Sequence, residues 1–436
     1  MKINKKRGKI ALISVHGDPA VEIGKEEAGG QNVYVREVGE ALAKIGWQVD
    51  MFTRKTSLEQ ARIVEHSPNC RTIRLTAGPE EFIERNRIFA YLSDFVASFL
   101  KFQAESKVQY PIVHTNYWLS AKVGMEISKK QLIKQIHTYH SLGAVKYKAS
   151  KTIPLIANTR LQIEKNCLET ADTIVATSPQ EKEHMRSLVS KQGNIEIIPC
   201  GTDIERFGKI DRDSARQELS IDNKAKVILY AGRFDRRKGI ETLVRALARQ
   251  EVRQQDNLKL IIAGGYRPGR SDGDEKERIE GIVKELNLDN ITTFTGRLEH
   301  EQLSVYYAAA DTVVVPSHYE PFGLVAIEAM SSGTPVVASN VGGLKYTVVP
   351  EETGLLAPAK DEKAFSEAIA KIISNPTWRQ ELGKKARARV ESEFSWDGVA
   401  ASLDELYMSK LADLYQEFFS ANTDNFSEST PTKIVS

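Results

Sequence analysis

The sequence predicts an α/β protein built as two doubly wound domains in tandem, each a parallel sheet with helices on both faces. Three observations carry that reading. Short apolar runs alternate with amphipathic stretches through most of the chain, the rhythm of βα units. The alternation breaks off near Phe207 and then restarts. At 436 residues the chain also exceeds what one core sustains, since single cores stop growing near ~250–300 residues.

In the first domain, residues 1–206, the predicted strands are Lys9-Ile10-Ala11-Leu12-Ile13-Ser14-Val15, Gln48-Val49-Asp50-Met51-Phe52-Thr53, Ile112-Val113-His114 and Thr173-Ile174-Val175-Ala176-Thr177. Such short runs, mostly apolar, are how parallel strands buried on both faces read. Ile197-Ile198-Pro199-Cys200-Gly201-Thr202-Asp203 closes this sheet, and the polar stretch 208–223 carries the chain across. The second domain, residues 207–395, takes strands at Lys226-Val227-Ile228-Leu229-Tyr230-Ala231-Gly232, Leu258-Lys259-Leu260-Ile261-Ile262-Ala263-Gly264 and Thr312-Val313-Val314-Val315-Pro316, with helices over 240–249 and 324–332. The tail 421–436, rich in Ser, Thr, Asn and Asp, is expected to fray.

Composition excludes several classes. A net charge of +2 gives no reason to invoke nucleic acid, and the basic start, Lys2 to Lys9, is too short for a binding arm. No apolar run approaches the ~20 residues of a membrane span, and the N-terminus lacks the apolar core of a signal peptide. A cytoplasmic protein without stable membrane insertion is expected. Cys70, Cys167 and Cys200 form neither a disulfide framework nor a zinc pattern, so buried thiols are expected. The pairs Asp211-Arg212-Asp213 and Asp272-Gly273-Asp274 have no apolar strand feeding them and read as solvated loops; no metal and no cofactor is expected.

The chemistry concentrates in His318-Tyr319-Glu320-Pro321-Phe322-Gly323-Leu324-Val325-Ala326-Ile327-Glu328, two glutamates eight positions apart around a Gly-containing turn. Glutamates at that spacing are common on solvated helices; the turn singles these out. Glu320 falls at the C-terminal edge of a predicted strand, where ligands of open α/β sheets bind and the next helix offers free amides to a diphosphate. Carboxylates repel phosphate but accept from sugar hydroxyls. The pair therefore suits a ligand with phosphates in the middle and hydroxyls at both ends. In Ala231-Gly232-Arg233-Phe234-Asp235-Arg236-Arg237-Lys238-Gly239, Arg233 and Lys238 bracket a crevice-side turn and can bind a diphosphate and the charge that grows on it as a glycosidic bond breaks. Arg236 and Arg237 read as a solvated basic loop. Gly29-Gly30, before a helix, fits either an anion-binding turn or an ordinary tight βα turn. His137 and His140 lie in a Ser/Thr-rich stretch read as following a strand.

Together these segments, with Tyr139-His140-Ser141-Leu142-Gly143, resemble retaining glycosyltransferases of glycosyltransferase family 4, of GT-B type, from about Lys9 to Ser420. The resemblance implies two Rossmann-like domains facing a cleft and a C-terminal helix over 396–420 that returns to the first domain from Phe394-Ser395-Trp396. It implies Arg233 and Lys238 on the donor diphosphate, Glu328 on the ribose, Glu320 on hydroxyls of the transferred sugar, and His140 beside the reacting carbon. It further implies a phosphate cradle from the amides around Phe322, Gly323 and Leu324, closed by Gly29 and Gly30, with Arg297 at the base.

Two branches of the family look nearest: sucrose-phosphate synthases, and the enzymes that glycosylate inositol phosphate in mycothiol synthesis. Gly30, Asn32 and His140 fall on the acceptor side, and the second branch's phosphate contacts match Arg85, Tyr117, Ser141 and Arg160. The resemblance thus implies a nucleotide-sugar donor and a phosphorylated acceptor, with UDP-glucose and fructose 6-phosphate the first choice and sucrose 6-phosphate the product. The alternatives are N-acetylglucosaminyl transfer to inositol phosphate, mannosyl transfer from GDP-mannose to a lipid or glycan, an epimerase of the same architecture, and a silent nucleotide-sugar binder. Any later removal of phosphate falls to a separate phosphatase.

Overall fold

A computed structural model describes residues 7–21, 30–148 and 153–427. The apolar runs form strands, and more strands join them than the apolar pattern shows. The first sheet contains β1 (Lys9–Ile13), β2 (Gln48–Arg54), β3 (Ile63–Ser67), β4 (Cys70–Leu75), β5 (Ile112–Asn116), β6 (Lys134–Thr138), β7 (Thr173–Ala176) and β8 (Ile195–Ile197). Its order is β3-β4-β2-β1-β5-β6-β7-β8, parallel except for the β3–β4 hairpin at one edge. The second sheet runs β11-β10-β9-β12-β13-β14, from β9 (Lys226–Ala231), β10 (Leu258–Ala263), β11 (Thr292–Gly296), β12 (Thr312–Val315), β13 (Val336–Ser339) and β14 (Gly354–Ala357), and is wholly parallel. Each order reverses once, between β1 and β5 and between β9 and β12. Loops leaving the C-terminal ends of strands splay apart at such points and leave a crevice for ligand.

Three polar segments read as loops or crossings form regular structure instead, where polar residues acquire partners that sequence does not display. β6, with Ile136, His137 and Thr138 inside it rather than in a loop after a strand, is polar in sequence yet wholly buried. The Gln135 amide donates to Thr115 Oγ1 and the Ala121 carbonyl, and His137 Nδ1 meets Thr115 Oγ1 at 2.9 Å. Asp211 and Asp213 are exposed as expected, but the stretch 208–223 that holds them contains a helix rather than a loop alone. Asp211 caps the helix Arg212–Glu218 by accepting from the amides of Asp213 and Ser214, and the buried Arg216 guanidinium donates to the carbonyls of Ala309, Asp222, Asn223 and Ala225. Its remaining nitrogen meets Asp311, fully buried before β12, at 2.8 Å; Arg212 and Arg379 share that carboxylate at 2.9 and 2.5 Å. Asp272 and Asp274 likewise sit in the first turn of the helix Ser271–Glu285, where negative charge opposes the helix dipole. Among the described residues no group of three or more His, Cys, Asp or Glu could hold a metal ion.

The chain returns to the first domain as expected. Thr202 donates its amide to the Phe394 carbonyl at 2.7 Å, and the helix Trp396–Ser427 then lies on the helix Gly30–Lys44. Asp404 accepts from Arg7 at 2.7 Å and from Trp47 Nε1 at 2.8 Å, while Tyr407 places its hydroxyl 2.6 Å from His114 Nδ1. The helix continues to Ser427, into the stretch expected to fray; no Gly or Pro interrupts it after Gly398. No helix among the described residues is long and apolar enough to cross a membrane, and the three cysteines are free and buried.

Burial holds several imidazoles of the first domain neutral. His114 and His140 are pushed down to about 3, and His16 and His137 well below the ordinary value, by desolvation first. A histidine whose folded value is depressed adds stability in full above its unfolded pKa of ~6.5 and loses it as pH falls toward the folded value. The urea midpoint is therefore expected to be level above about pH 7 and to drop steadily below about pH 6.5. A midpoint that stays level down to pH 5 would contradict the neutral, buried imidazoles.

Candidate active site

The second-domain half of the crevice is built by the loops after β9 and β12. After β9 the buried Tyr230 hydroxyl donates to the Arg233 carbonyl at 3.0 Å, fixing a turn whose exposed Arg233 side chain has no ion pair among the described residues. Asp235 holds Arg237 through its backbone amide and its guanidinium, so Arg237 is clamped rather than solvated. Arg236 stays largely exposed, near Glu275 at 3.4 Å. Lys238 reaches across to Glu320, Nζ to Oε2 at 2.6 Å, and Ser317 Oγ stands 3.4 Å from the same oxygen. The cation expected on a diphosphate and the carboxylate expected on a sugar thus form an ion pair with each other.

Glycines let these loops touch. Gly239, at φ 68°, lies so close to β12's exit that a Cβ there would stand 2.0 Å from the Pro316 carbonyl. The loop after β13 braces the glutamate: Gly343 donates its amide to the Glu320 carbonyl at 3.0 Å. Gly323, at φ 100° and ψ 56°, is the N-cap of the helix Leu324–Ser331, whose first amides have no side-chain cap. Phe322 is buried against Phe394. Glu328 lies on the same helix, receiving the Tyr307 hydroxyl at 2.8 Å, with its carboxyl pushed up by burial. Arg297, after β11, packs beside Gly265 and bonds Glu299 at 2.8 Å.

The first-domain half faces this one. Gly30 opens its helix so close to Leu324 that a Cβ there would lie 3.1 Å from Leu324 Cδ1, whereas Gly29 lies outside the described residues. Asn32 is buried and donates to the Asp18 carbonyl at 3.0 Å, tying the helix to the loop after β1. His140, at φ 59°, sets Nε2 2.8 Å from Asn116 Oδ1 and meets the Tyr34 ring edge-on at 4.8 Å. Arg160 is 2% exposed. It pairs with Glu164 at 2.7 Å, donates to the Tyr117 hydroxyl at 3.1 Å and to the Ser141 carbonyl, and lies over the Tyr117 ring. The Arg85 guanidinium covers the same ring at 5.7 Å.

Arg85, Tyr117, Ser141 and Arg160, far apart in sequence, thus gather in one cluster beside His140. Sequence reasoning left two members out. His16, just after β1, stacks on Tyr117 at 4.5 Å with Nδ1 buried and unpartnered, as is Arg85 Nε. Lys146, on the short helix Gly143–Lys148, has its ammonium pushed down to about 8 by burial and by the nearby guanidiniums of Arg160, Arg237 and Arg85. A lysine three residues into a turn reads as solvated, and nothing in its local sequence signals those arginines. Cations gathered this closely around a ring, with the nearby carboxylates Glu164 and Asp235 already engaged, make a site for an anion. A cavity of about 650 Å³ under the returning helix, lined by Lys134, Asp172, Lys410 and Asp413 among others, lies away from both crevice halves, and these four charges have partners.

Comparison with known proteins gives the following. The family described as Glycosyltransferase Family 4 matches residues 28–206, and that described as Glycosyl transferases group 1 matches residues 211–389. D-inositol 3-phosphate glycosyltransferase of Corynebacterium jeikeium is 35% identical over 405 residues, covering 92% of this chain and 96% of that protein. The enzyme of the same name from Kribbella flavida is 34% identical over 396 residues, covering 89% of this chain and 92% of that protein. The solved structure of sucrose-phosphate synthase from Thermosynechococcus elongatus is 51% identical, covers 93% of this chain and 100% of that one, and superposes with a TM-score of 0.86. Anabaena HepE, solved with UDP and glucose, shares the fold at 18% identity and a TM-score of 0.71, covering 92% of this chain and 99% of that one.

The brace behind Glu320 is testable. Gly342 has φ 49°, and a Cβ there would lie 2.0 Å from the Glu320 carbonyl. Gly342→Ala is expected to cost about 1–3 kcal/mol in thermal or urea unfolding and to lower turnover by displacing Glu320. Gly281→Ala, on an exposed helix face with nothing within 4 Å, should leave turnover unchanged and add up to about 1 kcal/mol.

Proposed function

Because the chain belongs to the family 4 glycosyltransferases, we propose that it transfers glucose from UDP-glucose to fructose 6-phosphate with retention of configuration, giving sucrose 6-phosphate and UDP. The observation that carries the reading is the cluster of cations beside His140, in which Arg85 and Arg160 lie over Tyr117 and Lys146 lies near both guanidiniums. It suits a small acceptor bearing a phosphate. The likeness to sucrose-phosphate synthase over nearly the whole chain supports fructose 6-phosphate as that acceptor.

The chain's own residues account for the chemistry without a metal or other cofactor. On donor binding, Lys238 exchanges Glu320 for the diphosphate and Arg233 joins it, so two cations meet the charge that develops as the bond from the anomeric carbon to the phosphate oxygen breaks. The uncapped amides at Gly323 and Leu324, with the N-terminus of their helix, take the same phosphates. Glu320, released from Lys238, accepts from hydroxyls of the hexose, and Glu328 with its Tyr307 partner accepts from the ribose diol. Arg297 stands at the uracil end. The acceptor hydroxyl bonds to the anomeric carbon on the face the phosphate leaves, and its proton passes to a departing phosphate oxygen. Holding acceptor and donor at contact distance supplies much of the rate.

A phosphorylated inositol is the second reading, favoured by the curated relatives that glycosylate D-inositol 3-phosphate. An epimerase is separated from both by its need for donor alone. We place the protein in the cytoplasm, acting on soluble substrates, with dephosphorylation of the product left to another protein.

Three outcomes are expected from initial-rate measurements. Unphosphorylated fructose should be used at least a hundredfold less efficiently than fructose 6-phosphate; equal use would remove the anion pocket from the account. Lys146→Met should raise KM for fructose 6-phosphate at least tenfold and leave KM for UDP-glucose within about twofold, the signature of lost acceptor binding. Millimolar EDTA should leave turnover unchanged, and its loss would overturn the metal-free chemistry.

A further inference from the structure

His140 is held in a way that decides which of its ring nitrogens can meet a substrate. Asn116 ends β5 and is the N-cap of the helix Tyr117–Ser128. An asparagine side chain there ordinarily accepts from the first-turn amides, an interaction worth ~0.5–2 kcal/mol. Asn116 makes no such bond. Its side chain is buried, with Oδ1 2.8 Å from His140 Nε2 and Nδ2 3.4 Å from the His114 carbonyl. The carbonyl takes the amide NH2, so the amide oxygen faces the ring. An amide oxygen only accepts, so Nε2 carries the hydrogen and Nδ1 the lone pair. Nδ1 has no partner among the described residues and is not one of the buried unsatisfied atoms. Backbone and packing hold this arrangement: His140 sits at φ 59°, where a non-glycine residue is uncommon, and Tyr34 closes on its ring.

We infer that Asn116 is a positioning residue for the transfer reaction: in place of capping its own helix it locks His140 as the Nε2–H tautomer, so that Nδ1 accepts a hydrogen bond from a substrate hydroxyl in the cleft. This rests on the reading of His140 as a residue that touches substrate. A neutral ring with one fixed acceptor aligns a hydroxyl; a protonated ring, which only donates, does not. The titratable groups facing His140 are His114 and His137 on β5 and β6 and His16 after β1, with Tyr34 of the helix Gly30–Lys44 packed on it. None is a carboxylate, so nothing in its surroundings favours the imidazolium.

The test compares the full-length wild type with N116A, N116D and H140A, using 15N-histidine NMR alongside pH–rate profiles. Wild type should show His140 as the Nε2–H tautomer, assigned by loss of its signal in H140A. N116A should mix the tautomers, lower kcat by up to about a hundredfold, the loss that a small misplacement of an orienting group can cause, and leave KM for UDP-glucose within about threefold. N116D keeps the acceptor oxygen but adds a charge that favours imidazolium. It should recover most of the lost kcat at pH 8–9 and gain an acid limb at least one pH unit above any in wild type, which a merely structural role would not produce. Wild-type kcat in a folded N116A, or an N116D profile unshifted from wild type, overturns the inference. Full turnover in H140A instead overturns the reading beneath it, a distinguishable failure.

Discussion

The crevice depends on one buried guanidinium. Arg160 is 2% exposed, and an unpaired charge so placed would be strongly destabilising. Its environment is arranged around that constraint. Glu164 neutralises it and, through both carboxylate oxygens, also accepts the Gly143 amide. The Ser141 carbonyl takes a further N–H, which folds the segment 140–143 back over the helix Ala157–Thr170. The left-handed turn at His140 follows from that folding, since the chain must leave β6 and come back within three residues. Tyr117, whose hydroxyl accepts from the same guanidinium and whose ring lies under it, also has Arg85 and His16 against its ring. The cluster around Tyr117 and the turn at His140 are thus consequences of one burial, which is why they lie together.

The second domain solves a different problem. Its crevice brings a cation and a carboxylate from different loops into contact. Lys238 and Glu320, with side chains 28% and 14% exposed, neutralise each other, and both sit on loops fixed by close backbone contact at Gly239, Gly342 and Gly343. The returning helix completes the frame. Trp396 packs on Tyr34, which in turn packs on His140, so the crossing that joins the domains also supports the residue nearest the reaction.

Legibility in the sequence followed the physics of burial. β1, β2, β9, β10 and β12 were readable because their residues are mostly apolar and need no particular partner. β6 and β11 were not, because polar side chains enter a sheet only when specific neighbours satisfy them, as Thr115 and Ala121 do for Gln135. The glutamates of the β12 turn and the cations of the β9 turn were legible from their place at predicted strand ends. Their mutual ion pair, 82 positions apart, was not. Arg160 could be singled out only by resemblance, and Lys146 and His16 not at all, since a charge or a ring acquires its role here from what the fold brings beside it.

The central claim is the identity of the reaction, and proton and carbon NMR of the product formed from UDP-glucose and fructose 6-phosphate tests it most directly. The account predicts an α-glucosyl anomeric signal and a fructosyl C2 no longer free to mutarotate, in a compound that phosphatase treatment converts to sucrose, with one UDP released per product. Release of UDP with no such product, or transfer only to another phosphorylated acceptor such as inositol phosphate, would contradict it.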